Sequence, residues 1–235
     1  MFGGMTLRAA TDYMRSFAQL FDTEQPPVYG HAVIARAAFE SATVSAWLNE
    51  PRIGVPERIR RGLCEQLYSA REVLDLGIID DSLERVDEWA AVATSFGWAA
   101  KRGGSKVDGS GRPSVSDGIV QAAGSGDQSR IGDLLYYRTA AISHVRWFGP
   151  QTGLGISGAK VKRASRTGTV ALGTDTARVG AISFYMIRTV RAAASARVDL
   201  MGWTDAPWES AIDRQVALEH EIAGGNSRSA LRRSG

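Results

Sequence analysis

An arginine and a histidine on one predicted helix are the residues in this sequence best suited to chemistry. Arg138 and His144 lie in the segment Tyr136-Tyr137-Arg138-Thr-Ala-Ala-Ile-Ser143-His144. Six helical steps place their Cα vectors about 120° apart and about 9 Å along the axis, so both side chains can reach one phosphate beside the helix. A neutral imidazole exchanges protons near neutral pH, and a guanidinium stabilises developing phosphorane charge. The pair therefore suits RNA cleavage that needs no metal ion and no cofactor.

His144 also has a purely structural interpretation. Its neighbours Ile142 and Val145 are apolar, and a histidine in such surroundings is often a packing residue with one hydrogen bond. The aromatic residues around the pair are equally open, because they can stack on unpaired bases or belong to the core. These aromatics are Tyr136, Tyr137, Trp147 and Phe148.

Other catalytic classes lack the residues that they require. The chain has three histidines and no HExxH, CxxC or HxH motif, so a zinc enzyme is not expected. Cys64, the only cysteine, follows Leu63 in the middle of a predicted helix and is typical of a small core residue. Gly153-Leu-Gly155-Ile-Ser-Gly158 matches GxGxxG, but it lacks the preceding strand and following helix of a dinucleotide or phosphate-loop site.

Charge is distributed unevenly along the chain. The net charge of +3 divides into −3 over residues 1–117 and +6 over residues 118–235. Between residues 130 and 197, eleven Lys and Arg stand against two Asp, a net charge of +9 that predicts an anion-binding surface. The residues expected to contact nucleic acid there are Arg146, Lys160, Lys162, Arg163 and Arg166. The alternative function is a non-catalytic protein that binds a protein partner or nucleic acid through this basic 130–197 surface.

Helices must position these residues, since strand-like alternation is scarce. We predict an all-α bundle of about six or seven helices with two flexible, glycine-rich loop insertions, 102–130 and 149–173. The first insertion has room for one short helix at 116–123. A single helical domain spans 1–223, and 224–235 form a disordered tail. The predicted helices cover 6–21, 31–49, 56–77, 82 to near 103, 131–148, 175–199 and 206–223.

Three of these helices carry specific expectations. The apolar residues of 31–49 cover more than one stripe, which predicts a central position in the bundle. Pro56 and Gly77 are typical of the first turn and the end of the next helix. In the helix after that, Leu83 and Phe96 are expected on the buried face with Val86, Ala90 and Ala93.

Arg36 and Glu40 are spaced as a helical ion pair. By default such a pair lies on the surface and contributes a few tenths of a kcal/mol, about 0.2–0.5. The surrounding helix is apolar, so the alternative is a buried pair that holds Arg138 or His144 in place.

The spacing of Arg138 and His144 resembles the R-x(4–6)-H motif of the HEPN superfamily, helical bundles that include ribonucleases of toxin–antitoxin and abortive-infection systems. The resemblance implies attack by a 2′-hydroxyl that leaves a cyclic phosphate, with Arg138 and His144 in the active site of a homodimer. Arg36 and Glu40, followed by Tyr137, Arg138, Ser143 and His144, are also similar to an R-x-x-x-E and YR-x-x-S-x-x-H layout of uncharacterised bacterial helical proteins. The HEPN resemblance implies RNA and an antitoxin protein as partners.

The expected compartment is the cytoplasm. The longest stretch without Asp, Glu, Lys or Arg has 13 residues and is rich in glycine, whereas a membrane span needs about 20 apolar residues. No basic segment followed by an apolar one marks the start as a secretion signal, and a single cysteine gives no disulfide. No membrane association is expected.

Overall fold

The computed structural model describes residues 2–22, 29–77, 82–100, 105–123, 134, 136–137, 139–141, 176–203, 210 and 214. The prediction of an all-α fold is confirmed. Described residues between 134 and 141 are helical and are called the 134–141 segment below. The described part of the chain also holds six longer helices: α1 (Phe2–Gln19), α2 (Gly30–Leu48), α3 (Val55–Leu76), α4 (Ser82–Ser95), α5 (Val115–Ala123) and α6 (Thr176–Met201).

Helix α2 is the centre of the bundle, as its sequence predicts. Ten of its 19 residues are buried, and they lie on several faces rather than on one stripe. A first core contains Phe39 of α2, buried together with Phe17 of α1, Ile119 of α5 and Met186 of α6. The helix that carries the candidate ion pair is therefore held on several sides.

A second core lies between α3 and α4. Leu67 of α3 and Val86 of α4 are buried in it, and Trp47 of α2 packs against it. Gly54 precedes α3, a proline stands in its first turn, and Gly77 ends it in the left-handed conformation with φ 63°. This start and this end agree with the sequence prediction, because proline and glycine act locally.

Helix α4 is shorter than predicted. It ends at Ser95, and Gly97 with φ 74° turns the chain where we expected the helix to run on towards residue 103. Leu83 and Phe96 are exposed, so the prediction that both lie on the buried face is wrong. The Trp98 amide donates to Ala93 O, and its ring stacks on Phe96, which places both rings beyond the helix end.

Residues 105–123 pack on both cores, although they fall in the segment predicted as a flexible insertion. Val107 is fully buried in the second core and forms isolated bridges with Ala100 and Ser110. Helix α5 matches the short helix expected at 116–123, and its Ile119 is fully buried in the first core. The glycine-rich composition of this segment did not indicate that Val107 and Ile119 would be buried against distant parts of the chain.

The chain divides into two compact units, Met1–Arg197 and Val198–Gly235. In the second unit, Gly202 with φ 62° follows the end of α6, and the Trp203 amide donates to Val198 O over 3.2 Å. Helix α6 agrees with the helix predicted at 175–199. The predicted insertion 149–173 and the predicted tail 224–235 lie outside the described residues.

Candidate functional site

The Arg36–Glu40 ion pair is formed on α2. Arg36 Nε donates to Glu40 Oε1 over 2.8 Å, and the two side chains are 21% and 35% exposed. The pair is thus neither a fully solvated surface pair nor a sealed one. The guanidinium carbon of Arg36 lies 5.9 Å from the ring centroid of Tyr136, within cation–π range. This contact joins α2 to the 134–141 segment.

The 134–141 segment has a buried and an exposed side. Tyr136 packs against the first core, and Thr139 is fully buried with its hydroxyl donating to Tyr136 O over 3.0 Å. Leu134 and Tyr137 are exposed, and Tyr137 is 68% exposed. Tyr136 thus belongs to the core, whereas Tyr137 is accessible to a ligand.

The predicted catalytic pair lies outside the described residues. Arg138 and His144 fall there, and so does the supporting Ser143. The same holds for the predicted nucleic-acid contacts Arg146, Lys160, Lys162, Arg163 and Arg166. Three of the predicted site residues are described: Arg36, Glu40 and Tyr137. Arg36 contacts Glu40 directly, and it also contacts Tyr136, the residue before Tyr137.

A polar cluster near Glu40 has no counterpart in the sequence prediction. The Tyr68 hydroxyl of α3 donates to Glu72 Oε1 over 2.7 Å. This hydrogen bond and burial raise the pKa of Tyr68, and the negative charges of Glu72 and Glu40 add to the rise, although Arg112 opposes it. The negative charge of Glu40 on α2 therefore also acts on Tyr68 of α3.

Arg112 completes this cluster. Its guanidinium carbon lies 4.4 Å from the Tyr68 ring centroid, and its Nε lies 3.5 Å from Glu65 Oε2. Burial raises the pKa of Glu65 despite the attraction of Arg112. Residues 65, 68 and 72 share one face of α3 by their spacing, which is the signal that sequence reasoning missed. Arg112, in the glycine-rich segment, offers no comparable local signal.

Cys64 is a structural residue. It is fully buried, and its thiol donates to Ser110 O over 3.2 Å. Burial raises the pKa of the thiol, which disfavours the nucleophilic thiolate. The sequence interpretation of Cys64 as a core residue agrees with this environment.

The described part of the chain offers neither a cluster for a metal ion nor a helix able to cross a membrane. Its residues contain no group of three or more His, Cys, Asp or Glu arranged to hold a metal ion. None of its helices combines the length and the apolar character needed to cross a membrane.

A scan against protein-family models found no match, and searches of the curated proteins and of the solved structures found none either.

Proposed function

We propose that this protein is a HEPN-like, metal-independent endoribonuclease. His144 accepts the proton of a ribose 2′-hydroxyl, and the 2′-oxygen attacks the adjacent phosphorus. The bond from phosphorus to the 5′-oxygen breaks as the His144 imidazolium returns that proton to the 5′-oxygen, and a cyclic phosphate remains. Arg138 stabilises the charge that develops on the phosphorane. The observation that supports this proposal is the contact of Arg36 with Tyr136, two residues before Arg138.

Arg36 and Glu40 are positioning residues in this proposal. Glu40 accepts a hydrogen bond from Arg36 Nε, which restrains the guanidinium beside Tyr136. Tyr136 is held by the first core from the other side. A helical turn fixed in this way places Tyr137 at the surface, where its ring can stack on an unpaired base.

The test is cleavage of single-stranded RNA by the full chain in EDTA. We expect cutting that leaves 2′,3′-cyclic phosphate ends, and a loss of about 100-fold or more in His144→Ala and in Arg138→Ala. His220→Ala is the matched histidine control and should cut normally. Cleavage that survives His144→Ala, or that EDTA abolishes, overturns the proposal.

The positioning role has its own measurement. Arg36→Gln should lower kcat more than it raises KM, because it loosens the helical residues Tyr136 and Tyr137, which adjoin Arg138 in the sequence, while the other predicted RNA contacts stay in place. Arg15→Gln on α1 removes the same charge from a more exposed position and should change neither constant. A pure stability effect would lower the melting temperature without this kcat–KM split.

The second candidate function is RNA binding without cleavage through the basic 130–197 surface. Arg188 and Arg191 support it, because neither pairs with a carboxylate among the described residues. Binding to RNA should weaken with salt by a slope of about −0.7 for each phosphate that is neutralised. A flat salt response removes this candidate, and binding without cutting favours it over the ribonuclease.

The proposed biological setting follows from the ribonuclease. We place the protein in the cytoplasm as a homodimer, in a toxin–antitoxin or phage-defence system with an antitoxin protein as partner. Light scattering of the purified chain distinguishes the dimer from a monomer. Growth arrest on expression, relieved by His144→Ala, tests the toxin role.

A further inference from the structure

Two adjoining cavities lie within the unit Met1–Arg197. The larger is lined by residues of α2, α5 and α6 among others, and the smaller by residues of α5 and α6. The larger has a volume of about 310 Å³ and the smaller about 200 Å³. Ala122 of α5 and Ala192 of α6 line both of them. Together they reach the roughly 300–1,000 Å³ that is typical of small-molecule sites.

The smaller cavity is positively charged. Arg188, Arg191, Ala192 and Ser195 recur at three- and four-residue spacing, so they form one stripe of α6 along its wall. The two arginines are half-buried, and neither pairs with a carboxylate of the described residues. The guanidinium carbon of Arg188 lies 5.3 Å from the Phe184 ring centroid, which restrains it. Two half-buried guanidinium groups without counter-charges, one of them held against an aromatic ring, favour a phosphate.

The larger cavity is balanced in charge. Arg52 Nε lies 2.8 Å from Glu50 Oε1, and Arg61 Nε lies 3.0 Å from Glu57 Oε1. Asp117 at the start of α5 bonds to the Ser114 hydroxyl. With its arginines already paired, this cavity favours a neutral group rather than a second anion.

The wall of the larger cavity suits a heterocycle. Trp47 and Pro113 contribute apolar surface, and Gln121 offers an amide that can both donate and accept. Thr43 also lines the cavity, is 3% exposed, and its hydroxyl oxygen has no hydrogen-bond partner among the described residues. A ligand with polar edges and a flat apolar face would satisfy this wall.

We infer that these cavities bind one nucleoside monophosphate, with the phosphate at Arg188 and Arg191 and the base in the larger cavity. The inference goes beyond both proposed functions, because its ligand is a single nucleotide held in a cleft rather than an RNA strand. The described lining contains neither catalytic residue of the ribonuclease proposal.

Calorimetric titration of the full chain tests the inference. The probes are AMP, GMP, CMP and UMP, the four matching nucleosides, inorganic phosphate and a ten-nucleotide RNA. We expect at least one monophosphate to bind with a Kd below about 1 mM, and its nucleoside to bind more weakly. Failure of all four monophosphates overturns the inference, and binding of the RNA alone assigns the arginines to the second candidate function.

Variants separate the two parts of the site. Arg188→Gln with Arg191→Gln should weaken monophosphate binding about ten-fold or more and leave nucleoside binding unchanged, whereas Arg15→Gln should change neither. Ala192→Phe, which fills the shared wall, should abolish both. If the double variant does not fold, Arg191→Lys keeps the charge without the planar fork and should still weaken monophosphate binding severalfold. Equal monophosphate affinity in wild type and the arginine variants overturns the inference. His144→Ala should bind normally, so failure of the ribonuclease proposal remains distinguishable.

Discussion

At the scale of single residues, Asn49 connects three distant parts of the chain. Its amide nitrogen donates to Gly3 O over 3.1 Å and to Ser45 O over 2.8 Å, and its oxygen accepts from Arg197 over 3.1 Å. Asn49 is 1% exposed, so water cannot replace these bonds. Gly3 must be glycine, because a Cβ there would lie 2.5 Å from Asn49 Oδ1.

We therefore expect Asn49→Ala to lower the free energy of unfolding by about 1–3 kcal/mol, because Arg197 loses its partner, whereas Gly3 O keeps the hydrogen bond from Ser45 Oγ. Urea unfolding followed by far-UV circular dichroism measures the change. Ser69→Ala, at an exposed position of α3, is the control and should stay within about 0.5 kcal/mol. A loss below 1 kcal/mol for Asn49→Ala would show that the network contributes little.

Glu65 makes the stability depend on pH. Burial raises its pKa, Glu72 adds to the rise, and Arg112 opposes it. A carboxyl with a higher pKa in the folded chain binds its proton more tightly there, so stability is gained as the pH falls below the folded pKa. It is lost as the pH rises from the unfolded pKa through the folded pKa.

Glu65→Gln keeps this group neutral at every pH. We expect the stability of the wild type relative to this variant to fall as the pH rises above about 4.3, the pKa of an unperturbed glutamate, measured by urea unfolding at each pH. Glu84→Gln, at an exposed position of α4, is the matched surface control. A difference that grows in favour of the wild type would mean that the attraction of Arg112 outweighs burial.

At the scale of elements, the approach of α5 to α2 depends on one glycine. A Cβ added at Gly118 would overlap the side chain of Thr43, whereas a Cβ at Gly180 of α6 meets nothing within 4 Å. The two positions are both helical glycines and differ mainly in what lies beside them. Alanine substitutions at these two positions therefore distinguish the cost of a steric overlap from the gain in helix propensity.

Gly118→Ala should destabilise the chain by about 1–3 kcal/mol, because α5 must move away from α2. Gly180→Ala should stabilise it by about 0.5–1 kcal/mol, because alanine favours the helix at no steric cost. Thermal unfolding of both variants checks the opposite signs. Equal shifts in the same direction would contradict close packing of α5 on α2.

At the scale of the whole molecule, the two larger cores of the described residues belong to one compact unit, Met1–Arg197. Trp47 links them, since it lies on α2 and packs against the second core. The guanidinium carbon of Arg61 lies 5.4 Å from the centroid of the Trp47 ring. Arg61 also donates a hydrogen bond to Trp47 O over 2.6 Å. The cores should therefore unfold together.

Cys64 reports on this cooperativity, because it is the only cysteine and is fully buried in the second core. We expect its labelling by a thiol reagent and the far-UV circular dichroism to give the same urea midpoint. Cys64→Ala provides the unlabelled baseline. Labelling at lower urea would show that the second core opens on its own.

Local signals in the sequence determined the all-α class, the central position of α2 and the ends of α3, because helical periodicity, Pro56 and Gly77 act within a few residues. The spacing of Arg36 and Glu40 likewise predicted their ion pair. Tertiary structure alone decided that Tyr136 meets Arg36, that Val107 and Ile119 are buried within a glycine-rich segment, and that Phe96 is exposed. The physical reason is that tertiary contacts join residues that lie far apart in the sequence. Asn49 and Arg197 lie 148 residues apart, and no local pattern encodes which distant surface a side chain will meet.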